Sequence, residues 1–269
     1  MSEIVTSADG TTIGYDRVGS GPAVILVGGA FQHRAIDKGT AELADLLGAD
    51  FTVYHYDRRG RGDSGKGVTP YTIEREIEDV AALLAAAGGE ASLFGMSSGA
   101  ALALDAAARR PSVTRVAVYE APFVVDGDPA MTSEEYLPPL HALLAKGEYG
   151  AAVEWFFTEA VGLPADAVAG MRQTPIWPVF ESLAPTLAYD GALLEGTVEG
   201  RPLSDRRWAA VTGPVLVLDG GDSPPSMASA AEALAGVLHD ARRETLPGQQ
   251  HEVDPKVLAP VLAGFYGQS

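Results

Sequence analysis

Ala91-Ser92-Leu93-Phe94-Gly95-Met96-Ser97-Ser98-Gly99-Ala100-Ala101-Leu102 is the stretch on which the fold turns. Residues 91–94 form the short apolar run of a buried strand, and the alanine-rich residues 98–110 read as a helix packed closely on its neighbours. Ser97 therefore falls on the turn between them. In a chain with 31 glycines the string Gly95-x-Ser97-x-Gly99 is weak by itself, but between a strand and a helix it has a mechanical meaning. So sharp a turn forces the serine into an unfavourable backbone conformation and needs small neighbours. It also lifts the hydroxyl above the sheet, where the first amides of the helix point. Ser98 is the poorer nucleophile, because Met96 and Ala100 flank it where glycines should stand.

Outward from this turn, β-rich segments at 11–17, 23–27, 51–56, 113–119, 215–219 and 242–245 alternate with helical ones. That order predicts an α/β fold, a mostly parallel sheet with helices on both faces. Continuous runs such as Val24-Ile25-Leu26-Val27 and Val215-Leu216-Val217-Leu218 suit strands buried on both sides. Ile73, Ile77, Val80 and Leu84 share one helical face, and Asp254-Pro255 opens a last helix that buries Val257, Leu258, Val261, Leu262 and Phe265. Residues 124–207 read differently. They hold prolines, aromatic residues and no convincing strand, so they form a helical insertion in a core made of 1–123 and 208–269. Most of its aromatic residues are expected to build the insertion's own small core. Trp155 and Trp177 are also candidates for substrate contact, together with Gly29, Phe31 and Met96 around the serine.

Composition limits the partners. With 46% hydrophobic and 20% charged residues over 269 positions, disorder, collagen and coiled coil are excluded as classes. A formal charge of −17 repels nucleic acid and anionic membranes, and no apolar run is long enough to span a bilayer. There is no cysteine, hence no disulfide, thiol nucleophile or cysteine-ligated metal. The first residues, Met-Ser-Glu-Ile-Val-Thr, lack the basic and apolar regions of a signal peptide. The expectation is a cytoplasmic monomer or homodimer acting on a small molecule.

A serine nucleophile needs a base and donors for the oxyanion. Of five histidines, His55 lies in a predicted strand, His141 and His239 in or near helices, and His33 beyond a glycine turn. His251 sits in the loop between the last strand and the capped last helix, at the carboxyl edge where open α/β sheets gather ligand groups. It is the expected base. Gly28-Gly29-Ala30 follows strand 23–27, so the amide of Ala30, with that of Ser98, is the expected oxyanion hole.

Four motifs in order then resemble the α/β-hydrolase superfamily, specifically its lid-bearing serine esterases, over nearly the whole chain. They are Gly28-Gly29, Asp57-Arg58-Arg59-Gly60-Arg61-Gly62-Asp63-Ser64, the Ser97 turn and Gly248-x-x-His251. Gly28-Gly29 stands where many relatives have His-Gly. The resemblance implies an eight-stranded sheet, a helical cap inserted after the sixth strand, and a triad of Ser97, His251 and an acid. In such proteins the acid follows the seventh strand, which points to Asp222 one place early, or the sixth, which points to Glu120 in Tyr119-Glu120-Ala121-Pro122. Both stay open. Gly60-x-Gly62-x-x-Gly65 looks like a dinucleotide fingerprint, but Gly67 and Pro70 follow, so no helix opens there to receive a pyrophosphate. The expected activity is cofactor-independent hydrolysis of an ester, thioester or lactone of a mainly hydrophobic small molecule. The same fold also hosts carbon–carbon bond hydrolases, perhydrolases, cyclases or lyases, and non-hydrolytic ligand receptors.

Overall fold

The computed structural model describes residues 2–67, 70–127 and 131–268. Its strands are β1 (Glu3–Thr6), β2 (Thr12–Gly19), β3 (Ala23–Val27), β4 (Thr52–Tyr56), β5 (Ala91–Met96), β6 (Val113–Tyr119), β7 (Val215–Gly220) and β8 (Ala241–Leu246). They form one eight-stranded sheet in the order β1-β2-β4-β3-β5-β6-β7-β8. The β1–β2 and β2–β4 pairs are antiparallel and the rest are parallel. Seven strands fall where the β-rich segments of the sequence place them. The residue pattern missed β1, a four-residue edge strand whose side chains are never fully buried, leaving no apolar run to read.

Successive side chains of a strand point to opposite faces, and here each face has its own core. Ile25, Val27, Val116, Val118, Val215 and Val217 pack toward α2 (Ile73–Ala86), α3 (Ser98–Arg109) and α9 (Pro225–Val237). Val24, Leu26, Ala117, Tyr119, Leu216 and Leu218 pack toward α1 (Lys38–Leu47) and α10 (Pro255–Tyr266). This double burial explains why β3 and β7 are continuous apolar runs. From Ser98 to Ala106, α3 is buried at every position, which only small side chains and a few leucines permit. Helix α10 begins as expected, with the Asp254 carboxylate accepting from the Lys256 amide and Pro255 at its first position.

Between β6 and β7 the described chain holds only helical elements and loops. They are α4 (Ser133–Lys146), α5 (Tyr149–Trp155), a π-helical turn (Phe156–Ala160), α6 (Ala165–Met171), α7 (Trp177–Leu183), a 3-10 turn (Ala184–Thr186) and α8 (Leu187–Leu194). Tyr136, Leu140, Val153, Trp177, Leu183 and Leu187 form a third core. Among its buried members, Phe31 comes from the sheet side. Phe31, just beyond β3, packs against Phe156, Phe157 and Phe180 with ring centroids 5.2, 5.6 and 4.8 Å away. No described helix is long and apolar enough to cross a membrane.

Candidate active site

Among the described residues three non-glycines have positive φ, and all three lie at the carboxyl ends of adjacent strands: Phe31 (61°) after β3, Ser97 (54°) after β5 and Glu120 (46°) after β6. Such conformations cost about 1–3 kcal/mol each and persist only where the surroundings over-determine them. At Ser97 the surroundings are backbone. Its N–H donates to the Tyr119 carbonyl at 3.0 Å, and its own carbonyl accepts from the Ala100 N–H at 2.9 Å. A Cβ at Gly95 would stand 2.5 Å from the Gly99 carbonyl oxygen, and one at Gly99 would stand 2.3 Å from the Val27 carbonyl oxygen. Both glycines of the Gly-x-Ser-x-Gly string are therefore required by close approach of main chain. Ser97 ends up half-buried, and Ser98 opens α3. As the first helical residue, Ser98 has an amide with no intrahelical acceptor.

The strained backbone at Glu120 turns its carboxylate into the edge of the sheet, fully buried. Oε1 accepts from the Gly220 amide at 2.9 Å, and Oε2 lies 2.8 Å from His251 Nδ1. A carboxylate can only accept, so Nδ1 carries the hydrogen and Nε2 is left as the basic atom. Burial pushes the Glu120 carboxyl up, but the bonds from His251 and Gly220 outweigh it and hold the group below its ordinary value. The loop bearing His251 is stapled to the ends of β6 and β7. Tyr119 Oη donates to the Gln250 carbonyl at 2.5 Å, and the Asp222 amide donates to the Gln249 carbonyl at 2.9 Å.

Asp222, the other candidate acid, is not brought to the imidazole. Its side chain is exposed, and its contact with the histidine loop is made by main chain. The one-residue offset noted in the sequence leaves its carboxylate in solvent, while β6 delivers Glu120 directly. No described hydrogen bond joins Ser97 to the imidazole, whose side chain is 46% exposed on its loop.

On the other side of Ser97 lies the loop of Gly28, Gly29 and Ala30. A Cβ at Gly29 would stand 2.8 Å from Ser97 Cβ, so this backbone rests directly on the serine. Gln32, which sequence reasoning missed, accepts the Gly29 N–H through Oε1 and donates through Nε2 to Met96 Sδ at 3.7 Å. No described acceptor takes the Ala30 N–H. A cavity of about 570 Å³ opens beside Ala30 and Met96. Phe31, Phe94 and Leu43 line it from the sheet side, and Ile176 and Phe180 from the helical insertion. Trp155 and Trp177 do not line this cavity. Trp177 is 3% exposed with its indole N–H on Glu181, and the Trp155 indole N–H bonds the Tyr136 carbonyl. Both belong to the insertion's own core, the role expected for most aromatic residues there. No described cluster of histidine and carboxylate side chains has the makings of a metal site.

A sequence model described as the alpha/beta hydrolase family matches residues 24–261. The chain belongs to that family. It is a hydrolase, and its eight-stranded, mostly parallel sheet with helices on both faces is that of the fold. A solved alpha/beta hydrolase from Sphaerobacter thermophilus is 49% identical, with a TM-score of 0.88 over 98% of this chain and 100% of that one. A 2-(acetamidomethylene)succinate hydrolase of Mesorhizobium japonicum is 29% identical over 266 residues, spanning 94% of this hydrolase and 91% of the relative. The enol-lactonase of Burkholderia xenovorans, 21% identical, shares the fold with a TM-score of 0.68 over 99% of this chain and 100% of its own.

Proposed function

We propose that this hydrolase cleaves an ester, thioester or lactone of a small, mainly hydrophobic molecule through an acyl-enzyme on Ser97. The observation that carries the reading is Ser97 held at φ 54°, against Gly29 of the loop that carries the Ala30 amide and one strand over from the 2.8 Å His251–Glu120 pair. Ser97 Oγ attacks the carbonyl carbon and its proton passes to His251 Nε2. The tetrahedral oxygen takes its negative charge between the Ala30 and Ser98 amides. The carbon–oxygen (or carbon–sulfur) bond to the leaving group then breaks, and the imidazolium returns the proton to it. Water attacks the acyl-enzyme, giving one proton to His251, and the acid departs as Ser97 Oγ is reprotonated. Glu120 orients the ring and stabilises its charged form throughout.

The helical insertion serves as the cap, and Phe31, Met96, Ile176 and Phe180 line the pocket for the apolar part of the substrate. Gly29 contributes its compactness and the Ser97 contact, while Trp155 and Trp177 act only by shaping the cap. The test is labelling by a fluorophosphonate with mass-spectrometric location of the adduct, beside turnover of p-nitrophenyl esters of increasing chain length. The expected adduct is on Ser97, and Ser97→Ala should lose both labelling and at least about 10⁴-fold in turnover. Equal turnover by wild type and Ser97→Ala would end the reading.

A further inference from the structure

Arg58, Arg59 and Arg61 are each 1% exposed, an unusual state for arginine that demands partners. Arg59 finds its partners, Asp79 and Asp9, away from the serine. Arg58 and Arg61 instead reach beneath the oxyanion loop. Arg58 makes a two-pronged pair with Glu76 (2.7 and 2.7 Å), a bond to Asp190 Oδ1 (2.7 Å) and one to the Gly28 carbonyl (3.3 Å). Arg61 donates to Asp190 Oδ2 (2.7 Å), to Thr186 Oγ1 (3.2 Å) and, through Nη1, to the Gly29 carbonyl. Asp190 belongs to α8 of the insertion, and its Oδ1 also accepts from Ser98 Oγ at 2.7 Å. Burial pushes the Asp190 carboxyl up, yet Arg61 and Arg58 outweigh it and keep it below the ordinary value, so it is an anion there.

The geometry points to Arg61 and Asp190 as positioning residues that aim both oxyanion donors, a role that rests on the serine mechanism proposed above. A trans peptide is planar, with its C=O and N–H pointing in opposite directions. Two consecutive peptide units make up the loop. In the first, the Gly28 carbonyl is held by Arg58 and the Gly29 N–H by Gln32 Oε1, so both ends are used. In the second, the Gly29 carbonyl is held by Arg61, and the Ala30 N–H is left without a described acceptor. Gripping that carbonyl fixes where the opposite N–H points. A guanidinium on the oxygen also polarises the peptide and makes the N–H a stronger donor. Asp190 holds Arg61 by one oxygen and Ser98 by the other, so the residue supplying the second donor is tied to the same carboxylate. The cap thereby sets the oxyanion hole as well as covering the pocket.

Arg61→Lys tests this with the charge unchanged, since an ammonium cannot reproduce the guanidinium fork that spans Gly29, Thr186 and Asp190. Ser98→Ala is the milder second variant, removing one hydroxyl and leaving both arginines paired. Melting curves of each full-length protein establish that it is folded. For p-nitrophenyl ester hydrolysis, Arg61→Lys is expected to lower kcat by about 10²-fold, approaching the loss of one oxyanion donor, with KM within about twofold. A trifluoromethyl ketone, which forms a tetrahedral adduct on the serine, should weaken in step with kcat/KM. Ser98→Ala should lower kcat less, by about five- to tenfold, with the same split. The pH at which activity rises should not move in either variant, because Glu120 and His251 are untouched. A folded Arg61→Lys or Ser98→Ala that keeps wild-type kcat and ketone affinity overturns the assignment, as does a loss confined to KM. If Ser97→Ala is itself active, the serine reading has failed first; if it is dead while both variants are normal, only this inference falls.

Discussion

The two flanks of Ser97 are built on opposite principles. On one side stand a single carboxylate and a single imidazole, and the imidazole is 46% exposed on the loop after β8. On the other, Arg58 and Arg61 meet Glu76 and Asp190 in a cluster no member of which is more than 4% exposed, with charges that cancel. In the proposed mechanism the first flank exchanges protons with substrate and water, which suits its openness and a basic atom, Nε2, with no described partner. The second, in the same proposal, holds two amides in a fixed direction, which suits a dry cluster that leaves little hydrogen-bonding capacity unused. Buried ion clusters of this kind are weak sources of stability because desolvation offsets their attraction. Beneath the Gly28–Ala30 loop such a cluster makes sense as a source of geometry.

The largest effect that sharpens this contrast lies on the open flank. Glu120→Gln preserves shape but removes the acceptor-only partner that fixes the His251 tautomer, and kcat should fall by about 10⁴-fold. Asp222→Asn, an exposed change touching no site atom, should leave kcat within about twofold, as expected of surface substitutions. Steady-state kinetics on one ester compares the two directly. Comparable losses would mean that both carboxylates serve the ring, and the one-partner description of that flank would break.

A second effect concerns the main chain that both flanks share. At Gly99 a Cβ would sit 2.3 Å from the Val27 carbonyl oxygen and 2.6 Å from that of Gly28, neither of which can swing away as a flexible side chain would. Gly99→Ala should therefore destabilise the fold by about 3 kcal/mol, at the upper end of ordinary overpacking. In a chain of this size that corresponds to a melting temperature lower by about 6–12 °C. Calorimetry gives the answer. A melting temperature within a degree of wild type would show that β3 and α3 have room to separate, and that the oxyanion loop is less firmly placed than its contacts imply.

How much of this was legible in the amino-acid sequence differs between the flanks for a physical reason. Ser97, His251 and Ala30 are readable because each sits at a strand end marked by local signals: two glycines required by close packing, a capped helix following, a glycine pair preceding. Glu120 was readable only as one of two options, since burial is what separates it from Asp222 and burial is not a local property. The dry flank was almost silent. Arg58 and Arg61 stand in a charged string that looks solvated, and their partners lie 18 and about 130 positions away. Nothing in Leu187-Ala188-Tyr189-Asp190-Gly191 marks its aspartate, because the signal is a tertiary pairing between the insertion and the loop after β4. Trp155 and Trp177 failed as pocket residues for the complementary reason: large aromatic side chains serve a small helical core as readily as a ligand, and Tyr136, Leu140 and Leu183 claimed them.

The smallest effect comes from titrating the open flank. Glu120 has its carboxyl held below the ordinary value in the fold, by His251 and the Gly220 amide acting against burial. A carboxyl depressed in this way adds stability at pH values above its unfolded value, about 4.3, and that contribution fades as pH falls through the folded value. The stability of wild type measured against Glu120→Gln should accordingly be at its most favourable near neutrality. It should decline on acidification below about pH 4, by less than the Gly99→Ala cost. Thermal melts of both proteins from pH 3 to pH 7 give the difference. A difference that instead grew more favourable toward acid would mean that Glu120 takes up a proton more readily in the folded state. The His251 ring would then face a neutral acid rather than a carboxylate, and the open flank would lack the charge that stabilises an imidazolium.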